Sequence, residues 1–268
     1  SDSGASKPTI VLLHGNSFSS AVFEKQLRSP RLCGFRLIAF DLPGHGRSKP
    51  LPEDVEYSIA SFATLVTEAL ETLKIKQAVL AGWSHGGHVA LDMVKDTKCI
   101  KGAMIFGAPP LRAGTLSTIH AYHFSRDMFL ASKPVFSVTD AMRFEKFCLG
   151  TSADGRFYET LMNTAPKVRS DVFKSALQGR NGDQYELALA SQKPLCFLQG
   201  ENDPLVRASY IEDLGADPDF RGEIAMIEHA GHAPFLDQQE IFDFMLASFA
   251  NRALATKPLA APLYEKAA

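Results

Sequence analysis

Cysteine is scarce in this chain of 268 residues, which contains four and no C-x-x-C pair. Cys33, Cys99, Cys148 and Cys196 are far apart and lie in apolar stretches. Their spacing favours neither a disulfide framework nor a zinc site. We therefore expect four buried, reduced thiols.

The sequence also lacks an excess of either charge, because 28 basic residues are balanced by 30 acidic ones, for a net charge of −2. This balance indicates no surface for nucleic acid or an anionic membrane. No apolar run approaches the ~20 residues that a membrane span needs. Residues 1–7 lack the basic start and apolar middle of a secretion signal. We expect a soluble, cytoplasmic protein with neither a nucleic-acid nor a membrane partner.

Signatures of nucleotide and metal chemistry are missing as well. The sequence contains no G-x-x-x-x-G-K-[ST] loop and no G-x-G-x-x-G after a predicted strand. Its eight histidines contain no H-x-H-x-D-H cluster, and His229 with His232 would supply too few ligands for a metal. We expect no cofactor and no metal site.

What the sequence does contain is an alternation of short apolar runs with stretches of helical period. This alternation is typical of a parallel sheet flanked by helices, so the predicted fold class is α/β. The predicted strands are 9–13, 35–39, 78–81, 100–106, 195–198 and 223–227. The clearest helix is 58–73, where apolar residues recur at i, i+3 and i+4.

The alternation is interrupted once, by roughly 80 residues of helical pattern, which is far more than a crossover in this architecture needs. We predict a helical cap at 111–192, inserted into a core domain formed by 9–110 and 193–250. The ends, 1–8 and 253–268, are predicted to be flexible. Aromatic residues of the cap either form its own core or line a pocket against the sheet. The candidate substrate contacts are Trp83, Phe124, Phe129, Phe136 and Phe144.

The sharpest motif is GWSHGG at residues 82–87, which follows a predicted strand and precedes a helical stretch. A G-x-S-x-G in this setting predicts a nucleophile elbow, where glycines permit a tight turn that exposes the serine hydroxyl at a helix N-terminus. Ser84 is therefore the candidate nucleophile.

A serine nucleophile needs a base and an acid that orients the base. Asp203 and His232 each follow a later predicted strand, which gives the order Ser, Asp, His expected for an elbow of this type. His229 competes with His232, and Glu201 competes with Asp203. We favour His232 because it lies in a glycine-containing loop, and Asp203 because it lies further beyond its strand.

Ester hydrolysis also needs donors for the oxyanion. The backbone N–H of His85 directly follows the nucleophile and is the first candidate. The N–H of Asn16 is the second, because Gly15 lets that loop approach closely. For His14 we expect only a hydrogen bond that orders the loop.

Together, His14-Gly15, the turn at residues 41–48, the elbow, Asp203 and the loop at residues 230–232 resemble the α/β-hydrolase superfamily. The resemblance spans about residues 9–250. It implies an α/β-hydrolase fold, in which the turn at 41–48 is structural. The family usually begins with an antiparallel hairpin, so we expect this sheet to lack that hairpin.

A finer resemblance is to the metal-independent, α/β-hydrolase type of N-acylhomoserine lactonase. It is carried by HGNS at 14–17, GWS and GGH at 82–84 and 86–88, the Pro109-Pro110 pair, and AGHAPF at 230–235. That type has a glutamate where this chain has Asp203. Either carboxylate can orient an imidazole, so the difference bears on the substrate more than on the reaction.

These residues predict a serine hydrolase that cleaves carboxylic esters through an acyl-enzyme on Ser84, and the aromatic cap favours an apolar part on the substrate. The finer resemblance implies an acyl lactone, such as an N-acylhomoserine lactone. Epoxide hydrolases and dehalogenases of this fold use an aspartate at the elbow, so Ser84 argues against both. His85 after the nucleophile is similar to cofactor-free dioxygenases, and carbon–carbon bond hydrolases share the triad. A ligand receptor that retains the triad is the alternative outside enzymology. The sequence leaves the oligomeric state open.

Overall fold

The computed structural model describes residues 7–178 and 181–255. Six strands form one sheet in the order β2-β1-β3-β4-β5-β6, and every pairing is parallel. The strands are β1 (Thr9–Leu13), β2 (Arg36–Phe40), β3 (Ala78–Trp83), β4 (Ile100–Phe106), β5 (Leu195–Gly200) and β6 (Glu223–Ile227). All six predicted strands are confirmed, and no boundary differs by more than two residues.

The inner strands read as continuous apolar runs because both faces of the sheet are covered. β1, β3 and β5 are buried along their whole length, whereas the edge strands β2 and β6 are partly exposed. Alternate residues of β1 face opposite sides, so Ile10 packs into one apolar cluster and Val11 into the other. The strand order reverses between β1 and β3, and a crevice opens at the carboxyl ends of strands at such a point.

Eleven α-helices are described. They are α1 (Glu24–Leu27), α2 (Ile59–Thr72), α3 (His85–Asp96), α4 (Thr115–Ala121), α5 (Val138–Leu149), α6 (Tyr158–Asn163), α7 (Pro166–Leu177), α8 (Gln184–Ala190), α9 (Ala208–Ala216), α10 (Pro234–Asp237) and α11 (Gln239–Leu254). α2 is the helix expected at 58–73, and Ser58 begins it by accepting a hydrogen bond from the N–H of Ser61. No helix in the described part of the chain is long and apolar enough to cross a membrane.

The interruption between β4 and β5 contains α4 to α8 and two short 3-10 helices, Met128–Ser132 and Gly150–Ser152. We propose 111–192 as the limits of a cap formed by these helices. Its last helix, α8, begins against α3, since Gln184 at its first turn hydrogen-bonds His88 of α3. The cap therefore returns to the core before β5 begins.

The expectation of four buried thiols is correct for two of them. Cys148 and Cys196 are buried, whereas Cys99 is half-buried and Cys33 is exposed; all four are free. Cys33 follows a 3-10 turn, Pro30–Leu32, at the surface, which an apolar local sequence does not reveal. The predicted flexible ends fall mostly outside the described residues, although 253–254 complete the last turn of α11.

His14 is fully buried directly after β1 and orders the loop there, as expected. Its Nδ1 lies 2.8 Å from the carbonyl oxygen of Gly15, which can only accept, so Nδ1 carries the proton. Its Nε2 then accepts the N–H of Leu42 at 2.9 Å. Burial lowers the pKa of His14 from 6.5 to about 4, and the imidazole is neutral at pH 7.

We expect this buried neutral imidazole to make the fold less stable in mild acid. Between pH 6.5 and 4 the unfolded chain binds a proton at His14 that the folded chain does not, so stability is lost as the pH falls. His14→Gln retains an acceptor for Leu42 but cannot titrate. Between pH 7 and 5 its free energy of unfolding should fall by about 2 kcal/mol less than that of the wild type. Urea unfolding at both pH values measures the difference, and equal losses in the two proteins would contradict it.

Candidate active site

Ser84 lies in a strained turn between β3 and α3. Its backbone has φ 52° and ψ −118°, a conformation that a residue with a side chain rarely adopts. The turn is held by a hydrogen bond from the N–H of Ser84 to the carbonyl of Phe106 on β4, at 2.8 Å. This is the geometry that the motif at 82–87 predicts, with the serine at the N-terminus of a helix.

Two glycines allow the turn to close. A Cβ on Gly82 would lie 2.3 Å from the carbonyl oxygen of Gly86, and a Cβ on Gly86 would lie 2.3 Å from that of Leu13. Both distances are far inside van der Waals contact, so any side chain would separate α3 from β1 and β3. Residues 82 and 86 are therefore glycine because the backbones touch there.

His232 and Asp203 form a buried pair beyond the ends of β6 and β5. The His232 Nδ1 lies 2.8 Å from an Asp203 carboxylate oxygen, and each side chain is about 1% exposed. The competing residues lie elsewhere: Glu201 and His229 are exposed, and the N–H of His229 is 3.4 Å from the Glu201 carboxylate. The structure thus brings together the Asp and His that the loop positions favoured.

The Asp203 carboxylate is saturated with donors. One oxygen accepts the N–H groups of Leu205 and Val206 at 2.7 and 3.0 Å, and the other accepts from His232 and from the Gln199 amide at 2.9 Å. Burial raises the pKa of Asp203, but the neighbouring His232 and these hydrogen bonds outweigh it, and the pKa lies below 3.8.

An ionised carboxylate can only accept a hydrogen bond. The Nδ1 of His232 therefore carries a proton and donates a hydrogen bond to Asp203. In the neutral ring the Nε2 is then a free lone pair. This arrangement leaves His232 able to take a proton on the side away from Asp203.

One cavity contains Ser84 and His232 in its lining, together with mainly apolar side chains. Of the candidate substrate contacts, Trp83 and Phe144 line this cavity. Phe124 and Phe129 are half-exposed and do not line it. Phe136 is buried behind Phe144, with ring centroids 5.4 Å apart, and does not reach the cavity either.

Contrary to the expectation, these three phenylalanines do not line the cavity. Helix packing decides which aromatic rings face inward, and the sequence does not show that packing. The lining also includes apolar residues that sequence reasoning missed. Among them are Phe18, Met128, Phe147 and Cys148.

Trp83 has a structural role in addition to its place in the lining. Its indole Nε1–H donates to the carbonyl oxygen of His232 at 2.7 Å, and the residue is fully buried. A buried indole N–H needs a partner, and here the partner is the backbone of the candidate base. Trp83 thus fixes the loop that carries His232, which the motif at 82–87 did not indicate.

The two candidate oxyanion donors both belong to the lining of the cavity. His85 is the first residue of α3, so its N–H has no acceptor within the helix. Asn16 lies in the loop after β1, where its side-chain amide donates to the carbonyl of Ala131 at 3.2 Å and accepts from the hydroxyl of Ser17 at 3.1 Å. These two hydrogen bonds fix the side chain of Asn16, and they thereby restrain its backbone N–H.

Arg169 of α7, which no sequence motif indicated, ties the proposed cap to this loop. Its guanidinium is buried and donates to the Ser17 hydroxyl at 3.0 Å. It also donates to the carbonyls of Lys133, Leu161 and Pro134 at 2.7 to 3.1 Å. Burial lowers the pKa of Arg169 to about 10, so the group stays charged at neutral pH. The Arg169 guanidinium thus binds four oxygens. It joins the candidate oxyanion loop to three segments of the proposed cap: α7, α6 and residues 133–134.

Metal ligands are not grouped in the described ranges, which hold no set of three or more His, Cys, Asp or Glu side chains able to bind a metal ion. The chemistry that the site offers is that of a serine, an imidazole oriented by a carboxylate, and backbone donors at a helix N-terminus.

The chain is similar in sequence and fold to several known proteins. The chain is similar to a solved structure of the N-acyl homoserine lactonase AidH complexed with N-butanoyl homoserine, with a TM-score of 0.87, 29% identity, and coverage of 96% of this chain and 94% of that chain. It is 27% identical over 274 residues to a pimeloyl acyl-carrier-protein methyl ester esterase of Vibrio vulnificus (strain CMCP6), covering 91% of this chain and 95% of that protein.

The AB hydrolase superfamily protein YisY of Bacillus subtilis (strain 168) is 24% identical over 260 residues, covering 93% of this chain and 94% of that protein. A model of the alpha/beta hydrolase family matches residues 10–244 of this chain. The fold and the resemblance expected from the motifs are thereby confirmed, and the chain belongs to the alpha/beta hydrolase family.

Proposed function

We propose that the protein is a serine hydrolase of carboxylic esters, with acyl lactones as its substrate class and Ser84, Asp203 and His232 as its catalytic triad. The observation that carries the proposal is the buried pair of His232 and Asp203, 2.8 Å apart, which shares a cavity with Ser84 on its strained turn. The similarity to AidH supports a lactone, and the similarity to a methyl ester esterase supports an ester in general.

In the proposed reaction, the Nε2 of His232 removes the proton of Ser84 while the serine oxygen attacks the carbonyl carbon. Asp203 holds the imidazole in the required tautomer and stabilises its charged form. The N–H groups of Asn16 and His85 donate to the oxyanion, and removing one such donor typically costs about 3 kcal/mol of transition-state stabilisation. His232 then protonates the leaving alcohol, which for a lactone is the opened end of the ring. Water activated by His232 releases the acid.

The apolar lining of the cavity supports an acyl tail on the substrate. Phe18, Phe144 and Phe147 line it, and each methylene that a substrate buries there contributes about 0.8 kcal/mol.

Replacing Ser84 by Ala tests the nucleophile. We expect the hydrolysis of 4-nitrophenyl hexanoate to fall by about 10³-fold or more, because a triad without its serine retains only the oxyanion donors and binding. Thermal unfolding should be unchanged within a few degrees, since Ser84 is only partly buried and its hydroxyl is not needed for the turn. A folded Ser84→Ala protein that keeps most of its esterase activity would refute the mechanism.

A comparison of ester types tests the substrate class. At equal chain length, we expect kcat/KM for N-hexanoyl homoserine lactone to exceed that for its open-chain counterpart ethyl N-hexanoyl-2-aminobutanoate, which keeps the amide, by at least about tenfold, a difference of ~1.4 kcal/mol. Acid release measured by pH-stat gives both rates. A preference for the linear ester with negligible ring opening would refute the lactone assignment and leave the ester hydrolase in place.

Assays of the wild-type protein distinguish the alternative functions. A cofactor-free dioxygenase would consume oxygen with a hydroxyquinolone, and a carbon–carbon bond hydrolase would cleave a vinylogous diketone; we expect neither. A receptor with an activated serine would react with a phosphonate probe yet hydrolyse saturating substrate only slowly. We expect reaction with the probe together with sustained turnover.

Asp203→Asn tests the acid against its competitor Glu201. An asparagine can accept from Leu205 and Val206 with its oxygen, and it then presents an amide N–H to His232. The imidazole must turn to the other tautomer, which carries a proton on Nε2 and cannot act as a base, so kcat should fall about 10⁴-fold. Glu201→Gln, at an exposed carboxylate, is the matched control and should keep kcat within about twofold. Comparable losses in both variants would contradict the assignment.

A further inference from the structure

A chain of three polar side chains enters the apolar cavity beside Ser84. His88 lies one turn into α3, and its backbone N–H bonds the carbonyl of Ser84 at 3.3 Å. Its ring bridges Gln184 and Tyr122: Nδ1 lies 2.7 Å from the Gln184 Oε1, and Nε2 lies 3.1 Å from the Tyr122 hydroxyl. His88 and Tyr122 line the cavity, whereas Gln184 does not.

The direction of these hydrogen bonds follows from one backbone carbonyl. The Gln184 Nε2 donates to the carbonyl oxygen of His88 at 3.1 Å. A carbonyl oxygen can only accept, so the amide group of Gln184 must turn its nitrogen there and its oxygen toward the ring. That oxygen in turn can only accept, and the Nδ1 of His88 must therefore carry the proton.

The remaining ring nitrogen of His88 is consequently an acceptor. Burial lowers the pKa of His88 below 6.5, so the ring is neutral at pH 7 and its Nε2 is a lone pair. The Tyr122 hydroxyl supplies the proton for this bond. Burial also raises the pKa of Tyr122, which keeps the phenol protonated. With its one proton used by His88, the Tyr122 oxygen can offer only lone pairs to a bound molecule.

The position of Tyr122 is fixed relative to the proposed triad. Its backbone pairs with Val206, its carbonyl accepts the Arg207 Nε–H at 3.0 Å, and the next N–H in the chain donates to the carbonyl of Leu205 at 2.8 Å. The N–H groups of Leu205 and Val206 are the donors that hold Asp203. Tyr122 is thus tied through His88 to the serine turn and through its backbone to the loop of the acid.

We propose that the Tyr122 oxygen accepts a hydrogen bond from the substrate, and that it selects lactones carrying a secondary amide N–H next to the ring over those that lack a donor. An analogue without the N–H leaves this oxygen unpaired in an apolar cavity, and an analogue with an oxygen at that place sets two lone pairs against each other. The inference rests on the proposed function and assigns the specificity of the same site.

Binding to the Ser84→Ala protein tests the inference without requiring turnover. The two ligands are N-hexanoyl homoserine lactone and α-hexanoyloxy-γ-butyrolactone, which differ only by an N–H replaced with an ester oxygen. We expect calorimetry to give a Kd about tenfold lower for the amide. Adding Tyr122→Phe should reduce the ratio of the two Kd values to about one. Equal binding of both ligands to Ser84→Ala, no binding of either, or a tenfold ratio that survives Tyr122→Phe would overturn the proposal.

A second variant separates the hydrogen-bond direction from the packing of the ring. Gln184→Met removes the amide that fixes His88, so that His88 can carry its proton on Nε2 and donate to Tyr122. The tenfold ratio should then fall below about threefold, although Gln184 does not touch the cavity. The matched control Gln192→Met, at an exposed glutamine beyond the same helix, should keep the tenfold ratio. A Gln184→Met protein that also keeps it, while folded by circular dichroism, would overturn the tautomer argument.

The outcome is distinguishable from failure of the proposed function. That failure would appear as ester hydrolysis that survives Ser84→Ala, a rate measured with 4-nitrophenyl hexanoate. The binding test compares two Kd values in a variant that does not need to turn over. The Tyr122 inference can therefore fail while the hydrolysis mechanism holds, and the mechanism can fail while the Kd ratio is observed.

Discussion

The contact of α3 with β1 and β3 at Gly82 and Gly86 is the constraint on which the rest of the site depends. Because a Cβ at either position would lie 2.3 Å from a carbonyl oxygen, the helix can sit this close only when both residues are glycine. The close approach forces Ser84 into its strained backbone and places the N-terminus of α3 at the point where the strand order reverses. It also sets His85 at the first position of the helix and His88 one turn further along. A single backbone contact thus positions the candidate nucleophile, one candidate oxyanion donor and the imidazole that faces Tyr122.

The other side of the site is built on a buried carboxylate. Asp203 can remain charged at 1% side-chain exposure because four donors surround it, two from the backbone and two from side chains. Trp83 adds a second restraint by binding the carbonyl of His232, so both the ring and the backbone of that residue are fixed. The serine turn and the loop of His232 are therefore connected through Trp83, the residue that precedes the serine. Such connection favours a preorganised arrangement, in which the reacting groups need little movement.

The parts that the sequence predicts well are those set by local pattern. Continuous apolar runs gave all six strands, and the rule that carboxyl ends of parallel strands meet at one edge explains why Asp203 and His232, 29 residues apart, lie together. Tertiary packing decides the rest. Phe136 and Phe144 have the same local character, yet only Phe144 reaches the cavity, whereas Phe136 packs against Phe144 and under the guanidinium of Arg169, 4.0 Å from its ring. Neither Arg169 nor Tyr122 belongs to a motif, and each has a side-chain partner more than 30 residues away in the chain, Ser17 for Arg169 and His88 for Tyr122.

Two histidines of the cavity are governed by the same physical rule. In each, an atom that can only accept a hydrogen bond fixes the proton on Nδ1: the Asp203 carboxylate for His232, and the Gln184 amide oxygen for His88. In the neutral form of each ring the Nε2 is then a lone pair, directed in one case away from the acid and in the other toward the Tyr122 hydroxyl. The proposed site then offers a base at His232, an acceptor at the Tyr122 oxygen, and donors from the helix N-terminus and the Asn16 loop. Most of the remaining lining is apolar, and in the proposed complex the carbonyl oxygen of a ligand meets these donors while its own N–H meets Tyr122. Under the proposed function, the polar contacts at these few points distinguish an acyl lactone with an amide N–H from one without it.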